Sequence, residues 1–85
     1  MEHEKELIKG QEPWKTGIKA SYLRYDSLEQ LLSGIAEGLK EQIKGDEEKS
    51  RTQLVELGQS VAKKIEEVTM EMKEMWRISE PHMKD

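Results

Sequence analysis

Leu32, Ile43, Leu54, Ile65 and Trp76 stand eleven residues apart, and Leu28, Leu39, Ser50, Val61 and Met72 run beside them at the same spacing. Ile35, Asp46, Leu57 and Val68 form a third column. Eleven residues fill three helical turns at about 3.67 residues per turn, close to the α-helix's own 3.6. A stripe of this period therefore stays on one side of a helix and favours a gentle right-handed supercoil. A single helix cannot bury such a stripe against itself. The spacing predicts an all-α chain with a long helix in a parallel oligomeric coiled coil. Its seam comprises Leu28, Leu32, Ile35, Leu39, Ile43, Leu54, Leu57, Val61, Ile65, Val68, Met72 and Trp76.

Composition points the same way. Of 85 residues, 34% are hydrophobic and 38% charged, which is thin material for a self-contained core at this size. There is no Phe, and the four aromatic rings, Trp14, Tyr22, Tyr25 and Trp76, lie toward the ends. Absence of Cys removes disulfides and thiolate metal sites, which leaves oligomerisation as the means of stabilising a small chain. The formal net charge is −4 with both signs interspersed, so no basic field is present to hold nucleic acid or an anionic membrane. No apolar run approaches the ~18 residues of a membrane span, and Met-Glu-His-Glu-Lys-Glu has neither the basic nor the apolar region of a signal peptide. The expectation is a soluble, intracellular protein.

Along the chain, residues 1–25 read as a partly irregular segment or short helix. Leu7 and Ile8 would sit on one or two helical turns that Gly10 stops. Pro13 and Gly17 around Trp14 suggest a turn or extended linker, and Ile18, Tyr22 and Tyr25 have helical spacing. The main helix, residues 26–79, has its start signal in Asp26 and Ser27, each followed three residues on by Glu29 or Gln30 at capping-box spacing. It runs to Ile78 or Ser79, where Pro81 forbids continuation, and residues 80–85 are expected to be a disordered tail. Around Gly45-Asp46-Glu47-Glu48-Lys49-Ser50-Arg51-Thr52 the stripe lapses. Gly45 as a helix end and Asp46 as a new cap would make an αα-hairpin there. The preserved phase from Ile43 to Leu54 and the unequal arms of such a hairpin favour one continuous helix. Asp46 and Ser50 then form a polar seam layer, or a local loosening with Asp46 turned to solvent. Gly34, Gly38, Gly45 and Gly58 each cost about 0.8–1 kcal/mol relative to Ala, so folding would depend on burial in an assembly.

Little in the sequence suggests reactive chemistry. His3 and His82 are isolated, and no nucleophile–base pair or glycine-rich phosphate loop is present, so neither an enzyme nor a metal or other cofactor is expected. Met70, Met72, Met75 and Met83 read as core and fraying helix end rather than as a soft-metal site. Trp14 in Glu-Pro-Trp-Lys-Thr-Gly, together with Tyr22 and Tyr25, is either an anchor for another protein or a cap on the bundle. The expected function is therefore an oligomerisation and protein–protein interaction module that multimerises a larger protein and displays its N-terminal segment. The expected partner is itself, as a trimer or tetramer. Two alternatives are a helical regulator docking into a partner's groove and an amphipathic helix lying on lipid, the latter disfavoured by a polar face not enriched in Lys or Arg.

Overall fold

The chain is all-helical. The computed structural model describes residues 3–82 and places α1 at Pro13–Ser21, α2 at Tyr25–Glu48 and α3 at Thr52–Ser79, followed by one 3-10 turn at Glu80–His82. No strand is present among the described residues. Of the expected tail, residues 80–82 form that turn, and residues 83–85, with Met83, lie outside the described residues.

The expected continuous helix is broken. α2 and α3 are joined by Lys49–Ser50–Arg51 and fold back on each other as an αα-hairpin. The stop is a Schellman motif: the Ser50 N–H donates to the Glu47 carbonyl at 3.0 Å and the Arg51 N–H to the Asp46 carbonyl at 2.9 Å. This motif needs a left-handed residue, and Ser50 supplies it at φ 57°. Glycine is the usual occupant because a Cβ is strained there. The break therefore carries no glycine signal, and it falls five residues beyond Gly45, which is inside α2.

Two boundaries also move. α1 starts at Pro13, where the absent N–H and the fixed φ suit the first helical position, and it runs through Gly17. The expected turn or linker there is thus a helix. α2 begins at Tyr25, before the expected caps: Asp26 lies in the first turn, accepts from the Ser27 N–H at 2.9 Å and pairs with Arg24, and no side chain caps the helix.

Packing between the hairpin arms follows small residues. Ala36 and Ala62 are 2% and 3% exposed, and Ile43, Thr69 and Met72 are the other buried side chains. Thr69 is satisfied internally, its hydroxyl donating to the Ile65 carbonyl at 2.8 Å. Gly58 lets the arms approach closely: a Cβ built on it would lie 2.9 Å from Ile43 Cγ1. On α3 the covered positions are Val55, Gly58, Ala62, Ile65, Thr69, Met72, Trp76 and Ser79, which alternate by three and four residues. That is heptad spacing, the pattern of a left-handed seam, and not the eleven-residue repeat.

The molecule is one helix thick. Its principal extents are 50 × 31 × 14 Å and its radius of gyration is 15.4 Å, against about 12 Å for a compact chain of this length.

Candidate interaction surface

The two faces of this layer differ in chemistry. On one, Ser33, Ala36 and Glu37 of α2 border a shallow groove with Glu66, Met70 and Lys73 of α3. Lys40 Nζ reaches Glu66 Oε1 at 3.1 Å across the hairpin and Glu37 Oε1 at 3.5 Å on its own helix. The Glu66 hydrogen bond, aided by both carboxylate charges, holds the Lys40 ammonium above its ordinary pKa. The other face is apolar, and the groove between its helices is walled by Leu32, Val61, Ile65 and Val68 with the stem of Lys64.

Of the residues expected in the seam, Ile43 and Met72 are buried, and Leu28, Leu32, Leu39, Ile65 and Trp76 are half-buried. Ile35, Leu54, Leu57, Val61 and Val68 stay exposed, Leu57 at 64%. Met75 and Ile78 join them and carry the exposed stripe along α3. Asp46 and Ser50 sit at the hairpin end and not in the middle of a continuous seam. Asp46 is half-buried with Arg51 Nη1 at 3.6 Å, and Ser50 is exposed in the turn. Ala36, Val55, Ala62 and Thr69 lie outside the expected seam, and so does Gly58, whose only sequence signal is its low helix propensity. Heptad spacing of small residues was the signal for them, masked by the larger side chains beside them.

The N-terminal segment flanks α2 on its glycine side without packing tightly. An open cleft of about 580 Å³ separates Leu7, Pro13, Gly17 and Ala20 from Leu31, Gly34 and Ile35. Gly34, Gly38 and Gly45 have no atom within 4 Å of an added Cβ, so these glycines are not required by contact. Trp14 is 72% exposed and Tyr22 82%, so neither caps the hairpin, whereas Tyr25 is half-buried. The contact at that end is between Arg24 and Trp76, the guanidinium lying 5.1 Å from the ring centroid. Arg24 also donates to both Asp26 oxygens at 2.8 Å, which lowers the pKa of that carboxyl.

Among the described residues there is no cluster of His, Cys, Asp or Glu able to hold a metal ion, and no helix is long and apolar enough to cross a membrane. No buried side-chain nitrogen or oxygen among them lacks a hydrogen-bond partner. No protein family, curated protein or solved structure matches the chain.

Proposed function

We propose that the chain is a self-association and protein–protein interaction module, in which the hairpin's apolar face is buried on further copies while the N-terminal segment remains displayed beside α2. The layer thickness of 14 Å carries this reading. A stable domain needs at least two packed layers around a core, and this chain supplies one. It exposes 7325 Å², where a compact monomer of its mass exposes roughly 5,200 Å². The parallel arrangement expected of a single long helix gives way to an assembly of hairpins.

Sedimentation equilibrium with circular dichroism across a concentration series tests it. The expected outcome is an oligomer whose melting midpoint rises with concentration. A folded monomer persisting into the millimolar range would overturn the reading. Co-sedimentation with anionic vesicles, with a blue shift of tryptophan emission, would favour a lipid-surface helix instead.

A second, compatible activity is favoured by the exposed Trp14, Ile18 and Tyr22 of the N-terminal segment, spaced at i, i+4 and i+8. Tryptophan and tyrosine are frequent anchors of protein interfaces, and an amphipathic stripe of this kind fits a partner's groove.

A further inference from the structure

We infer that two copies of the chain meet face to face about a two-fold axis crossing α3 at Val68, with Lys64 of each copy paired to Glu71 of the other. This rests on the self-association reading above. The exposed stripe of α3 repeats at heptad spacing, with Leu57, Val61, Val68, Met75 and Ile78 apolar and Lys64 and Glu71 the charged exceptions. In an antiparallel pair related by a two-fold, residue i meets residue j and j meets i. With the axis at Val68, that residue meets itself, Val61 meets Met75 and Leu57 meets Ile78. Lys64 then meets Glu71 twice. A slip of one heptad moves the axis to Lys64 or to Glu71, and either would place like charges together. Such opposition disfavours both slips.

The hairpin supplies an independent check. Ile43 on Gly58 and Lys40 on Glu66 bracket the level of Val68 between Ser33 and Gly38, with Ile35 inside that span. The same axis therefore carries α2 across α2 of the second copy, with Ile35 meeting itself and Leu31 meeting Leu39. Leu28 comes level with Gln42 in the same register, so the α2 line is apolar at its centre and mixed at its ends. The alternative two-fold, parallel to the helices, lays α3 on the other copy's α2, where Lys64 comes level with Leu39 and finds no acid. Area is sufficient as well: the surplus of roughly 2,000 Å² per chain over a compact monomer exceeds the roughly 800 Å² that each partner buries in a stable interface.

The chain has no Cys, so Val68→Cys introduces a single thiol. Mild oxidation should convert it almost completely into a disulfide-linked dimer, whereas Leu57→Cys, placed opposite Ile78, should yield only traces. Lys64→Glu should weaken the dimer about tenfold, from two like-charge contacts of about 0.7 kcal/mol each. Adding Glu71→Lys to it should restore wild-type affinity to within about twofold. If the wild-type chain dimerises but the Val68→Cys variant, still helical, does not cross-link, the axis is overturned and self-association stands. Failure of the double reversal to restore a dimer seen in the wild type has the same meaning. A wild-type chain that stays a folded monomer into the millimolar range overturns both. If Val68→Cys loses its helicity, the charge reversals decide alone.

Discussion

α3 carries two stripes one residue apart, and they divide the work of burial in an unexpected way. Val55, Gly58, Ala62, Ile65, Thr69, Met72, Trp76 and Ser79 turn toward α2, and Leu54, Leu57, Val61, Val68, Met75 and Ile78 turn away. The covered stripe holds the smallest residues, Gly58 and Ala62, and the open one holds large apolar side chains interrupted by Lys64 and Glu71. Within the hairpin, covering is governed by how closely two backbones can approach, and Gly, Ala and Thr permit close approach. The larger side chains contribute more per residue, about 1.5–3 kcal/mol each when fully buried, but only when a further surface covers them. Hydrophobicity ranks what gains from burial and does not say where in the assembly that burial occurs.

A charge placed on each stripe at adjacent positions separates their roles most strongly. Ala62→Asp buries an unpaired carboxylate and should cost about 3–5 kcal/mol, enough to abolish the helical signal at every concentration. Val61→Asp should leave the melt of the dilute protein close to wild type while removing its rise with concentration. Circular dichroism melts at two concentrations check both, and matching behaviour of the two variants would show that the stripes are not distinct.

Glycines sharpen the contrast at a smaller scale. Gly58→Leu forces a side chain into the space held by Ile43 and should destabilise by about 2–3 kcal/mol. Gly38→Ala meets nothing within 4 Å and should stabilise by about 0.8–1 kcal/mol through helix propensity. Urea unfolding midpoints of the two variants should therefore move in opposite directions.

At the turn, Ser50→Gly should relieve the left-handed strain and stabilise by about 1 kcal/mol. Ser50→Leu, combined with Asp46→Leu, should lower the thermal midpoint, because the leucine keeps the strain and Asp46 loses its contact with Arg51. A higher midpoint for that double variant would restore the continuous helix.

The smallest effect is expected on the charged face. The pKa of Lys40 is raised in the folded state, so its contribution is fully present below the unfolded lysine pKa and is lost as pH rises through the folded value. Both groups are solvent-exposed, so Glu66→Gln should lower the melting midpoint only slightly at neutral pH. The difference should vanish in about 1 M salt or at strongly alkaline pH.

Helix content was legible in the sequence because it depends on local periodicity. The end of α3 before Pro81 was equally legible, since a proline ring excludes the preceding helical hydrogen bond. The turn at Ser50 was not. A Schellman stop with serine in the left-handed position has no composition signal, and the phase kept from Ile43 to Leu54 resembled continuity. Over arms of 24 and 28 residues, stripes of 3.5 and 3.67 residues per turn drift apart by about one residue, so periodicity could not separate a short heptad hairpin from a long hendecad rod. The surface is half legible: Val61 and Val68 carry the apolar spacing that demands cover, whereas their neighbours Ala62 and Thr69, which receive it from α2, are too small or too polar to stand out.

That this chain is helical, carries more apolar stripe than one helix can hide and has no disulfide to hold it together can be read from its residues alone. Those properties follow from residue type and spacing, which act within a few turns of chain. The fold-back at Ser50, the lining of the closed side by Gly58 and the alanines, and the exposure of leucines and valines on the open side emerge only when the two arms pack. These outcomes depend on how near two backbones come and on the strain that one left-handed residue accepts. Both are set by contacts between segments distant in sequence.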